Sequence, residues 1–183
     1  MSGWFTGLYV YHHQSSCRSD DLMSGVDAML EKRYIDENKL YVTGGSGGEI
    51  LTAWIIGKTN RFRAAVVVKP VINWYSFVLY ADGPAFFSKY WFGEYPWENP
   101  DHFLSRSPIS LVGNVETPTM LVTGEEDYRT PIAETEQFYA ALKLRQVRTA
   151  MVRIPEASHG IADRPSNLIA KAVFILEWFG NFP

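Results

Sequence analysis

Leu40-Tyr41-Val42-Thr43-Gly44-Gly45-Ser46-Gly47-Gly48 runs from a β-prone apolar segment directly into Gly-x-Ser-x-Gly, and a helix-like segment, Glu49 to Lys58, follows at once. A strand, a small-residue turn and a helix in that order are what a nucleophile elbow requires, because the serine must occupy a sharp turn between close-packed neighbours. Gly44 and Gly48 supply the room. The turn lifts the Ser46 hydroxyl to the carboxyl edge of a sheet, and the helix that starts there aims its first amides at charge developing beside it. A phosphate-binding loop is the competing reading. Such a loop ends in Gly-Lys-Ser/Thr, whereas this one continues Gly-Gly-Glu, and Glu49 would repel a phosphate.

The rest of the chain sets the frame. With 183 residues it has the length of one domain, and 46% apolar against 20% charged residues is ordinary for a soluble globular protein. A net charge of −3 carries no nucleic-acid footprint. The single cysteine, Cys17, excludes an internal disulfide and fits a reducing, cytoplasmic setting. Met1 to Tyr11 lacks the features of a signal peptide, and no apolar run is long enough to span a bilayer.

Working outward, Trp4 to Tyr11 is β-prone and His12 to Arg18 is polar and loop-like. His12, His13 and Cys17 suggest zinc, but adjacent histidines rarely face one ion and no second ligand cluster follows, so no metal site is expected. Ser19 is expected to cap a helix over Asp20 to Lys32, with Leu22, Met23, Val26, Met29 and Leu30 on its apolar face. After the elbow helix, Ala64 to Val68 reads as a strand buried on both faces. Pro118 to Gly124 and Thr149 to Ile154 read as two further strands. Thr130-Pro131 opens the helix between them, with threonine as its cap. Pro165 opens the last helix, whose apolar face is expected to carry Ile169, Ala172, Val173, Leu176 and Phe179.

Strands and helices alternate from end to end, which implies a doubly wound α/β domain with a mostly parallel sheet. One stretch departs from that rhythm. From Asn73 the composition turns aromatic, and residues 73–104 read as an insertion punctuated by Pro84, Pro96 and Pro100. Most of its rings are expected to pack a satellite core and some to line a substrate pocket, with Trp74, Tyr75 and Phe77 as the candidate substrate-binding residues.

A serine hydroxyl needs a base to take its proton, and the base needs an anion to fix its tautomer. In an α/β hydrolase these groups follow in the order nucleophile, acid, histidine, each at a strand-end loop. Two histidines lie beyond Ser46: His102 inside the insertion, and His159 between the last strand and the last helix. Position favours His159. The acid belongs in the loop after the preceding strand, which offers Glu125, Glu126 and Asp127, and geometry read from the sequence does not choose among them.

Three segments in that order also carry a family resemblance: Val42 to Gly48, Thr117 to Pro131, and Ser158-His159-Gly160. Together with Pro70-Val71-Ile72-Asn73-Trp74 and Ser107-Pro108-Ile109, they resemble the catalytic domain of the prolyl oligopeptidase family, most closely its acylaminoacyl-peptidase and dipeptidyl-aminopeptidase-like branch. The similarity runs from about Asp20 to the C-terminus. It implies an α/β-hydrolase fold, with Ser46 as nucleophile, Asp127 as acid, His159 as general base and the Gly47 amide as an oxyanion donor. The implied activity is a cofactor-free serine peptidase acting on short peptides through an acyl-enzyme. A carboxylesterase with the same triad, or an impaired domain serving only as a binding or subunit-contact module, are the alternatives. The expected partner is a peptide or small ester, with no nucleic acid and no membrane, and assembly into a homo-oligomer is left open.

Two departures stand against the family pattern. The N-terminal β-propeller and the first strands of the hydrolase sheet find no counterpart in residues 1–183, so residues 1–183 are expected to form a partial hydrolase domain with one unpaired sheet edge. The second oxyanion donor normally comes from a loop upstream of the elbow, and loss of one donor costs on the order of a hundredfold to a thousandfold in turnover. In addition, Glu49 stands where a small or aromatic residue is expected, and its charge would oppose an oxyanion forming beside Ser46.

Overall fold

The structure, a computed structural model, describes residues 15–183, with side chains from Ser19 onward. Four strands form one sheet: β1 (Tyr41–Gly45), β2 (Ala64–Val68), β3 (Thr119–Gly124) and β4 (Thr149–Ile154). They lie side by side in chain order, all parallel, with Val42 opposite Ala65, Val66 opposite Met120 and Leu121 opposite Met151. The fold is an α/β hydrolase with a parallel sheet. Between the strands run α1 (Ser15–Leu30) before β1, α2 (Gly47–Ile56) after it, α6 (Ile132–Leu144) between β3 and β4, and α7 (Pro165–Gly180) at the end. The long β2–β3 connection holds α3 (Trp74–Tyr80), α4 (Pro84–Phe87), a π-helical turn over Ser88–Phe92, α5 (Pro100–Ser105) and a 3₁₀ stretch over Pro108–Asn114. No helix among the described residues is long and apolar enough to cross a membrane.

The two-residue period of a strand sorts the core. Ala65, Val67 and Leu121 face α2 and α6, where they meet Ala53, Ile56, Phe138 and Leu142. Val66, Val68, Met120 and Val122 face the other way, onto Ile161 and the α7 residues Ile175, Trp178 and Phe179. The two central strands are buried along their whole length, as their unbroken apolar runs require. β1 and β4 form the edges of the sheet among the described residues.

The aromatic segment builds a third cluster of its own. Trp74, Phe77, Phe87, Phe92 and Phe103 are buried together, with Phe92 stacked on Phe103 at 4.0 Å and Phe77 against Phe87 at 4.8 Å. Short helices suit this stretch because Asn73 and Asn99 cap two of them through their side chains, while Pro84 and Pro100 each start one.

Three helix assignments differ from the sequence reading. α1 begins at Ser15, so residues 15–18, expected as loop, are helical, and Ser19 lies inside the helix as a buried residue instead of capping it. Nothing from Ser15 to Arg18 breaks a helix, and Ser24 Oγ donates to the Asp20 carbonyl four residues back. Of the expected apolar face, Met23, Val26 and Leu30 are half-buried, whereas Leu22 and Met29 are exposed. α7 also turns a partly different face inward, with Phe179 as expected but not its companions. Ile169, Val173 and Leu176 point to solvent, at 63%, 43% and 71% exposure, while Ile175, Trp178 and Phe179 meet the sheet. Two apolar stripes with helical spacing run along α7, and the one with the larger rings buries more apolar area. Finally, Pro131 and not Thr130 stands at the cap position of α6. The β-prone segment Trp4 to Tyr11, His12, His13 and the Cys17 side chain lie outside the described residues.

Candidate active site

Ser46 sits between β1 and α2 with φ 56° and ψ −120°, a left-handed conformation that side-chain-bearing residues rarely adopt. The turn closes because Gly44 has no side chain: a Cβ there would lie 2.3 Å from the Gly48 carbonyl oxygen. Gly47 is the first residue of α2, so its amide is one of the donors that a helix start leaves without an intrahelical acceptor.

The strand ends hold their outgoing loops in a repeated way. The Ser46 amide donates to Val68 O on β2 at 3.3 Å, the Lys69 amide to Val122 O on β3 at 2.7 Å, and the Glu125 amide to Ile154 O on β4 at 3.1 Å. The loops after β3 and β4 then close on each other. The Glu126 amide donates to Ala157 O at 3.0 Å, and a Cβ on Gly124 would lie 2.2 Å from that same oxygen.

This framework brings Ser46, Asp127 and His159 together. His159 Nε2 is 3.2 Å from Ser46 Oγ, and Nδ1 is 2.9 Å from Asp127 Oδ2. The Asp127 side chain is fully enclosed, while the imidazole remains about one-third exposed (32%). Burial pushes the Asp127 carboxyl up, but hydrogen bonds from His159 and from the Thr130 amide and hydroxyl outweigh it and hold the carboxyl below its usual value. Thr130, expected as a helix cap, instead donates its hydroxyl to Asp127 Oδ2 at 2.8 Å and its amide to Oδ1 at 2.8 Å, and the Arg129 amide adds a further bond at 3.0 Å. Such an arrangement keeps a carboxylate ionised next to an imidazole and an imidazole next to a hydroxyl. It can move a proton off Ser46.

Other candidates fall elsewhere. Glu125 and Glu126 are exposed, and Glu125 pairs with Arg153. His102 lies in the insertion beside Glu94 and Arg106. Trp74 and Phe77 are buried within the insertion's own core, with Trp74 Nε1 donating to Arg106 O at 3.0 Å, because these rings gain more from one another than from an open wall. Tyr75 is half-buried against Phe103.

Glu49 corrects the electrostatic expectation. Its side chain is buried beside the elbow helix and accepts a hydrogen bond from the Val71 amide at 2.8 Å, and burial holds its carboxyl well above the usual range. With its proton favoured in this way, it opposes an oxyanion at Ser46 less than a solvated carboxylate would. Glu134, also buried and raised by burial, accepts from the Ile72 and Asn73 amides and from Ser76. Sequence reasoning missed Glu134, Thr130 and Lys69, whose Nζ donates to the His159 carbonyl at 2.9 Å. The one signal available for Glu134 was a carboxylate within the first turn of a helix that follows the acid loop.

Among solved structures, an acylaminoacyl peptidase from Pyrococcus horikoshii superimposes with a TM-score of 0.90 over 96% of this chain and 29% of that one, at 24% sequence identity. The sheet and its elbow are thus those of an α/β hydrolase. At the sequence level residues 9–182 match the prolyl oligopeptidase family, and the chain belongs to that family. It is 39% identical over 163 residues to the uncharacterized peptidase YuxL of Bacillus subtilis (strain 168), which covers 87% of this chain and 25% of that protein. It is 33% identical over 170 residues to acylamino-acid-releasing enzyme 1 of Oryza sativa subsp. japonica, covering 87% and 22%. The chain therefore spans about a quarter of the length of these curated relatives.

Proposed function

We propose that Ser46, Asp127 and His159 act as a catalytic triad and that the chain carries serine-peptidase chemistry toward short peptides of the acylaminoacyl or dipeptidyl type. The observation behind this reading is the imidazole of His159, held at 2.9 Å from Asp127 Oδ2 and 3.2 Å from Ser46 Oγ by loops from three strand ends. Family membership and the names of the relatives supply the substrate class.

In the proposed reaction His159 Nε2 takes the Ser46 proton as Oγ forms a bond to the substrate carbonyl carbon. Asp127 steadies the resulting imidazolium through Nδ1–H. The Gly47 amide donates to the oxyanion. Collapse breaks the C–N bond and His159 returns the proton to the departing amine, leaving an ester on Ser46. Water, deprotonated by the same imidazole, then releases the acid product and restores the hydroxyl.

The test is labelling with a fluorophosphonate probe, located by mass spectrometry. The parent chain is expected to label at Ser46, and Ser46→Ala and His159→Ala are expected to lose that label entirely. A folded parent that does not label, or a Ser46→Ala variant that labels as the parent does, overturns the triad. Hydrolysis of a short peptide anilide distinguishes a peptidase from an esterase that accepts only activated esters.

A further inference from the structure

We propose that Lys69 is a positioning residue of this site: its ammonium holds the His159 backbone at the height that keeps the imidazole within reach of Ser46. The inference rests on the triad reading above and adds a residue that neither the serine elbow nor the acid loop requires. Lys69 follows the last residue of β2, and its side chain bridges the two sides of the site. The stem passes Gly45, the residue before Ser46, with Cε 3.9 Å from where a Cβ would stand. The head donates from Nζ to the His159 carbonyl oxygen at 2.9 Å. Nearby, Ala157 O accepts from the Glu126 amide and Gly160 O from the Asp163 amide, while the His159 carbonyl accepts from Lys69.

The backbone of Lys69 is built to deliver that contact. It sits at φ 62°, a left-handed conformation that costs energy in a residue with a Cβ and persists only where its surroundings over-determine it. Its amide is fixed to Val122 O. The next residues are clamped from both sides by buried carboxyls: the Val71 amide donates to Glu49, and the Ile72 and Asn73 amides donate to Glu134. Glu49 comes from the elbow helix α2 and Glu134 from α6, the helix after the acid loop. The lysine is thereby tied to the elements that place the serine and the acid, and its ammonium passes that reference on to the base. Burial, with the like charge of Lys171, lowers the pKa of this half-buried amine, while the charges of Asp127 and Asp163 favour its charged form.

Three variants and three readouts test this. Lys69→Gly permits the left-handed backbone without strain but removes the amine, so a role in backbone shape and a role of the ammonium separate. It is expected to melt no lower than the parent. Its Ser46 fluorophosphonate labelling rate is expected to fall at least about tenfold, since small misplacements of a base cost rate steeply. Lys69→Met, which keeps the stem, should lose the rate equally. In a Cys17→Ser background, Lys69→Cys treated with 2-bromoethylamine regains a lysine-like amine and should recover most of the rate. Independently of any labelling, amide hydrogen exchange over Ala157 to Ile161 should be faster in Lys69→Gly than in the parent. Labelling of Lys69→Gly within about twofold of the parent, no recovery on aminoethylation, or unchanged exchange over that loop each overturns the proposal. If the parent itself does not label at Ser46, the triad reading fails and the exchange measurement alone decides whether Lys69 holds the loop.

Discussion

The strand-end loops and the aromatic segment both converge on buried groups, yet they fix positions by opposite means. Around Asp127 each atom has a direction: two amides, a hydroxyl and an imidazole all point at one carboxylate. Around the Phe103 ring the contacts are with other rings at several angles, stacked on Phe92 and edge-on to Tyr75. Directional bonds give placement to a few tenths of an ångström, which proton transfer needs. Ring packing gives bulk stability and tolerates rearrangement.

That contrast can be broken by substitution. Asp127→Asn keeps the shape of the side chain but presents an amide N–H where a donor now points. It is expected to slow Ser46 labelling by roughly 10³- to 10⁴-fold, and a loss of less than tenfold would remove Asp127 from the proton path. Phe103→Ala should act the other way, costing about 3–5 kcal/mol in urea unfolding. Its labelling rate per folded molecule should stay within about threefold of the parent, since the two regions share few partners. A large rate loss without a stability loss would mean that the insertion shapes the site directly.

The smallest expected effect concerns Glu49, a directional group whose burial favours its protonated form. Because its carboxyl holds its proton well above the ordinary value of 4.5, the folded state keeps a proton that the unfolded chain releases. Its contribution to stability is therefore complete below the unfolded value and declines as pH rises toward the folded one. Glu49→Gln lacks that slope, so its melting temperature relative to the parent should rise as pH increases above 4.5. A difference constant across that range would show that Glu49 is ionised in the fold. Asp127 works with the opposite sign: its depressed carboxyl stabilises the fold above its unfolded value of 3.8, and this is lost in acid.

Much of this was legible in the residues. Val42 to Gly48 announced a strand, a turn and a helix because glycine spacing and β-branched residues act locally. The run Ala64 to Val68 announced a strand covered on both faces for the same reason, and the observed strand has those bounds. The order of Ser46, the loop acids and His159 pointed to one sheet edge, but choosing Asp127 needed either the family resemblance or the coordinates. What stayed hidden depends on the third dimension. On α7 the periodicity placed Phe179 inward, but only the shape of the sheet face decided that Ile175 and Trp178 accompany it in place of Ile169, Val173 and Leu176. Glu49 read as a charge opposing an oxyanion at Ser46 because nothing in its neighbours along the chain tells that the Val71 amide, 22 positions later, faces it. Lys69 drew no reading for the same reason: its partner is 90 residues away.

The relay of strand-end amides, Ser46 to β2, Lys69 to β3 and Glu125 to β4, makes each loop depend on the next strand along the chain. No pair of strands can hold the serine beside the histidine, because each loop is anchored on a strand that enters the sheet later along the chain. A one-residue slip anywhere in the sheet turns the displaced strand's side chains to the wrong face and moves the loop that hangs from it. The approach of His159 to Ser46 is thus a property of the four described strands together, lost when any one of them lets go.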